Sequence, residues 1–130
     1  MEGKLMPNEE IRFTTRVLGP VAALRLEKRQ LSQTLRSESN PLTASIISGR
    51  LSASDHLDVF LDRILVGHVE LISMDAVTWE TLGVDDARRG GFDTMADLEQ
   101  ALRRAGYRFK PLNEYQLYRI QFTWLEKIYA

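Results

Sequence analysis

The chain of 130 residues has no cysteine, only two histidines and a formal net charge of −1. Each shortage removes a class of chemistry. Without thiols there is no disulfide framework and no thiolate metal site. His68 and Glu70 share a strand face if the segment is extended, and His56 is the other imidazole. A metal site would need two or more acidic ligands from elsewhere, and the spacing gives that no support. A net charge near zero means no overall basic field of the kind that attracts nucleic acid, so such a function needs a local patch. No apolar run approaches the roughly 20 residues of a membrane span. Residues 1–10, with Lys4, Glu9 and Glu10, lack an apolar signal-peptide core. The expectation is a cytoplasmic protein with no membrane partner, no metal and no cofactor.

What is present is ordinary for a globular chain: 44% hydrophobic and 27% charged residues, enough apolar material for one core without staples. The expected organisation is a flexible leader over 1–10, a single domain over 11–124 and a C-terminal tail over 125–130.

Apolar and polar residues alternate from Ile11 to Val17, which predicts a first strand ended by Gly19-Pro20. Pro20 suits the first turn of a helix. Val21, Leu24 and Leu31 then fall at helical spacing, with Ala22 and Leu26 broadening the face and Arg25, Lys28 and Arg29 at the basic end. Residues 37–54, rich in Ser, Asn and Thr, read as a long loop with a turn at Asn40-Pro41 and a short strand or helical turn at Ile46-Ile47. Leu57, Val59 and Leu61 predict a strand, Asp62-Arg63 a turn, and Ile64–Met74 a longer strand. In that strand Val69, Leu71 and Ser73 share one face, and His68, Glu70 and Ile72 share the other. A short helix over Val84–Arg89 stops at Gly90-Gly91. A well-marked helix follows, capped by Asp93 or Thr94, with Met95, Leu98, Ala101, Leu102 and Ala105 on one face. Leu117–Trp124 alternates as a closing strand. The set predicts an α+β domain, a small mixed β-barrel with peripheral helices.

Between the second predicted element and the long loop lies Ser32-Gln33-Thr34-Leu35-Arg36. If extended, it aligns Ser32, Thr34 and Arg36 on one face. Two hydroxyls and a guanidinium form a row of donors suited to a phosphate, a carboxylate or a nucleobase edge. An ordinary polar strand edge is the other reading of the same residues.

Three pieces in this order resemble the ASCH domain, the activating-signal cointegrator homology domain related to the PUA domain. Gln33-Thr34-Leu35-Arg36 is similar to the family's Thr-x-Arg signature. Gly67-His68-Val69-Glu70-Leu71 is similar to the strand that follows its hairpin. Asp85 to Thr94, running through Asp97-Leu98 to Tyr118-Arg119-Ile120-Gln121-Phe122, resembles its acidic-Ala-x-x-x-Gly-Phe segment, helix and closing strand. The resemblance implies a PUA-like β-barrel with a cleft between barrel and helices, and RNA, a nucleotide or a nucleoside as partner. One branch of the family resembles small amidohydrolases acting on acetylated cytidine, with a lysine, a threonine and a glutamate as the proposed catalytic set. Thr34 and Glu70 match two of these. An ungapped alignment puts Leu31 at the lysine position, with Lys28 and Arg29 about one helical turn earlier.

Threonine is a weak nucleophile that needs a base. With leucine in place of lysine, the resemblance points first to a binding module. Its cleft would be lined by Thr34, Arg36 and Glu70, with Lys28, Arg29 and Ser32 as further ligand contacts. The alternative is a hydrolase of acetylated cytidine or RNA using Thr34 and Glu70. A third reading is a protein-interaction domain that contacts its partner through residues 37–54 or the tail.

Overall fold

The computed structural model describes residues 9–125. Of the expected leader over 1–10 and tail over 125–130, residues 1–8 and 126–130 lie outside the described residues, while Glu9 and Glu10 belong to the first strand rather than to a leader. In chain order the elements are β1 (Glu9–Phe13), α1 (Thr15–Leu18), α2 (Pro20–Glu27), β2 (Gln33–Arg36), α3 (Pro41–Ile47), β3 (His56–Leu61), β4 (Ile64–Val77), α4 (Val84–Arg89), α5 (Met95–Ala105) and β5 (Leu117–Trp124). Short 3-10 turns occupy Trp79–Thr81 and Leu112–Glu114.

The five strands form one sheet in the order β1-β3-β4-β5-β2. β1 runs parallel to β3 and the other pairs are antiparallel. β1 and β2 are therefore the two edges, yet Arg36 on β2 donates from Nη2 to the Arg12 carbonyl on β1 at 2.9 Å. Opposite ends of the strand order meet, so the sheet is curled into a half-barrel. Its inner face follows period two: Ile11, Val59, Val69, Leu71, Ile120 and Phe122 are all buried there. The fold is α+β, as the alternation and helical spacing predict.

Several boundaries differ from those expected. Ile11–Val17 is not one strand. Thr14 caps α1 by accepting from the Val17 N–H at 3.3 Å, and Asp62 accepts from the Thr15 N–H at 2.9 Å, which turns the chain after Phe13. The helix expected to reach Leu31 ends at Glu27 and presents a different face. Val21 and Leu24 are exposed, whereas Ala22, Ala23 and Leu26 are buried. Small residues at this contact let the helix backbone approach its neighbours closely. Residues 37–54 are not a loop throughout, because Asn40 accepts from the Leu42 N–H at 3.0 Å and starts α3 with Pro41 in its first turn.

β4 extends to Val77 and its pairing with β5 shifts between Leu71 and Ser73. The extra residue at this bulge turns Ser73 outward, off the face of Val69 and Leu71. The β3–β4 turn contains no glycine, but Asp62 and Arg63 adopt φ of 50° and 71°. These are the left-handed conformations that a tight hairpin demands. Hydrogen bonds from Thr15 to the Asp62 carboxylate hold the turn against α1 and keep that carboxyl below its ordinary pKa.

Candidate functional site

A cavity of about 470 Å³ opens where the β1 and β2 edges face each other beneath α1 and α5. This is an ordinary size for a small-ligand pocket. Arg36 is its central charge. The side chain is half-buried, donates from Nε to Thr34 Oγ1 at 2.9 Å and from Nη2 to the Arg12 carbonyl, and lies with Cζ 4.9 Å from the centroid of the Phe13 ring. These contacts use two of its five N–H donors. No carboxylate among the described residues pairs with it. Burial pulls the guanidinium pKa down from 12.5 to about 10, so the group remains a cation at neutral pH. A charge removed from water without a counter-ion is costly unless a ligand supplies one.

The opposite wall is aromatic. Tyr107 is buried where the chain leaves α5, and its ring meets Tyr115 edge-on with centroids 4.9 Å apart. Burial raises the Tyr107 pKa, against smaller opposing effects of Ser37 and the Arg36 charge. Arg12, Arg16 and Asn40 also line the cavity.

One carboxylate, Asp86, reaches the lining, but both of its oxygens are already hydrogen-bonded within the protein. Asp86 is only 6% exposed. It accepts from the Gly83 N–H, Gln33 Nε2, Arg89 Nη2 and Arg119 Nη1, all at 3.0–3.1 Å. Burial opposes ionisation there, but the four donors outweigh it and hold the carboxyl at about 2. Arg119 also grips Asp75 at 2.7 Å, and that hydrogen bond is the main reason its pKa is raised. The network ties α4 to β2 and β5. Its residue types and spacing suggested only a helix with acidic residues at its start.

Of the residues expected at the site, Thr34 and Arg36 are brought together. Glu70 is not. It pairs with Thr123, Gln33 pairs with Gln121, and Thr34 pairs with Ile120. Paired residues share a face and successive residues alternate. Glu70 therefore lies with Gln33 on the face opposite Thr34, and the expected cleft of Thr34, Arg36 and Glu70 is corrected to one without Glu70. Ser32 precedes β2 and is held through its backbone, with its N–H on the Arg89 carbonyl and its carbonyl on the Phe122 N–H.

Lys28 is exposed at the end of α2. Arg29 turns away with φ of 60°, donating to the Val66 carbonyl at 3.0 Å and lying 5.9 Å from the Trp124 ring. Neither lines the cavity. Leu31 is 1% exposed and packs where a Cβ on Gly91 would come within 2.8 Å of it. The position aligned with the family's lysine is core. Among the described residues, the hydrogen-bond partner of the Thr34 hydroxyl is a guanidinium, and no base reaches it.

Solved structures share this fold of a curled sheet with helices around an open seam, one of them an ASCH domain. The crystal structure of an ASCH domain from Lactobacillus crispatus JV V101 matches with a TM-score of 0.60 and 16% identity, covering 80% of this chain and 70% of that one. A crystal structure of an Enterococcus faecalis V583 protein, described by the family model DUF984, matches with a TM-score of 0.62 and 11% identity, covering 95% of this chain and 82% of that one. No family model matches the sequence, and no curated protein matches it.

Proposed function

We propose that the protein is a nucleotide- or RNA-binding ASCH-like module whose cavity takes a phosphate-bearing nucleotide, with the phosphate on Arg36. The single observation that carries this reading is the Arg36 guanidinium, half-buried and cationic, without a carboxylate partner among the described residues. Its unused N–H groups can donate in parallel to two phosphate oxygens, the pairing that suits a planar fork. Thr34 accepts from Nε, which leaves its own hydroxyl hydrogen available to a third oxygen or to a base edge. Tyr107 and Tyr115 supply aromatic surface against which a base can rest. The ASCH-like fold is consistent with such a ligand. Hydrolysis through Thr34 has less support, because among the described residues the hydrogen-bond partner of its hydroxyl is a guanidinium rather than a base.

The test is a titration of the purified protein with a 5′-mononucleotide and a short single-stranded RNA at low and high ionic strength. Binding at low salt that weakens as salt rises is expected. Arg36→Met should weaken it by about tenfold or more, the scale of losing one charge-assisted pair. Arg36→Lys should retain the charge but lose the fork, giving an intermediate affinity. Absence of binding at low ionic strength, where the phosphate interaction is strongest, would sink the reading.

A further inference from the structure

Beside the cavity mouth, the connection after α5 carries Tyr107-Arg108-Phe109-Lys110. Phe109 is 89% exposed, the most of the large apolar side chains in the described residues, ahead of Ile64 at 71%. An aromatic ring left in water in a chain with a well-filled core calls for a physical reason, and its surroundings supply one. The segment is fastened rather than loose. Arg103 donates from Nη1 to the carbonyls of both Tyr107 and Lys110, at 2.7 and 2.8 Å, and Arg108 Nε donates back to the Arg103 carbonyl at 3.0 Å. The Phe109 N–H donates to the Tyr115 hydroxyl at 3.1 Å, and Tyr115 is itself part of the cavity wall. Phe109 is therefore held outward, one hydrogen bond from the site.

Two cations flank it, while Arg103, which fastens the segment, is itself paired with Glu99 at 3.6 Å. Arg108 donates to backbone carbonyls, and Lys110 lies 4.8 Å from the Tyr115 ring centroid. Arg16 and Arg36 line the cavity, and Arg108 and Lys110 flank the exposed Phe109 ring on the adjoining segment, all four without a carboxylate partner among the described residues. Base planes and phosphates alternate along a single strand, and this rim alternates aromatic and cationic groups in the same way.

We propose that Phe109 is a stacking platform for a second base, so that the ligand is a single-stranded oligonucleotide rather than a free nucleotide. One nucleotide enters the cavity with its phosphate on Arg36. The neighbouring base stacks on Phe109, and the linking phosphate runs between Arg108 and Lys110. This rests on the cavity reading for the first nucleotide but not for the second.

The experiment compares a mononucleotide with a tetranucleotide, as RNA and as DNA of the same sequence, on wild type, Phe109→Ala and Phe109→Trp. The side chain is in solvent, so both variants should fold as wild type. Phe109→Ala should weaken the tetranucleotide by about tenfold, within the range of losing one stacked base, and leave the mononucleotide unchanged. Phe109→Trp should retain the affinity and show tryptophan quenching by the tetranucleotide beyond that of wild type. The two polymer arms tell whether the strand is RNA or DNA, and either one with this pattern supports the platform. Equal affinity of wild type and Phe109→Ala for the tetranucleotide overturns it, even if Arg36-dependent mononucleotide binding persists. Tetranucleotide binding that needs Phe109 but not Arg36 would keep the platform and overturn the cavity reading. No binding of any oligonucleotide would overturn both.

Discussion

Replacing Asp86 by asparagine keeps its shape but removes the charge at the centre of the network below the cavity. The carboxylate has an ordinary pKa of 3.8 and is held at about 2 by four donors. That depression corresponds to about 2 kcal/mol of stability at neutral pH. The substitution also leaves Arg89 and half of the Arg119 grip without a counter-charge in a site only 6% exposed. Breaking a buried pair from one side typically costs about 3 kcal/mol or more. Urea unfolding of Asp86→Asn should therefore show a midpoint lower by about 2 M, with the slope unchanged. The sign of the pH dependence is fixed by the direction of the shift. A depressed carboxyl contributes its full stability above the unfolded value of 3.8 and loses it as pH falls through the folded value of about 2. The gap between wild type and Asp86→Asn should be largest above about pH 5 and shrink steadily toward pH 2. A variant within about 0.5 kcal/mol of wild type at neutral pH, or a gap that grows on acidification, would refute this account of the network.

Two other substitutions probe the frame around the site. Gly91 has φ of +96°, and an added Cβ would meet Leu31 Cδ1 at 2.8 Å, so Gly91→Ala should cost about 2–3 kcal/mol in chemical unfolding, from backbone strain and overpacking together. Asn40→Ala removes the cap of α3 and should cost about 1 kcal/mol, read as a small drop in melting temperature.

The parts most legible in the sequence are those whose pattern repeats over several turns or pleats. α5 and β5 lie where their periodicity puts them, because Leu98, Ala101, Leu102, Ile120 and Phe122 all meet the same core. α1 and α3 are too short for a period to emerge, and single capping side chains, Thr14 and Asn40, decide them. Glu70 shows the limit of resemblance against alternation. Strand parity already set it opposite Val69 and Leu71, and the pairing with Thr123 carries it to the face away from Thr34. Tyr107 and Tyr115 sit in irregular segments where no period marks a wall of a cavity. The interleaving of aromatic and basic residues from Tyr107 to Lys110 was the available signal. The Arg36 clamp to β1 was not readable at all, since it depends on the sheet's curl.

That clamp also bears on solubility. Edge strands are dangerous because their unused N–H and C=O groups can recruit a strand from another molecule. Here the unused edges of β1 and β2 look toward each other across a gap that one arginine side chain spans. A foreign strand would have to displace Arg36 and enter beneath two helices. The seam is thereby guarded against self-association, and shortening residue 36 should expose that hazard, read as a rise in aggregation.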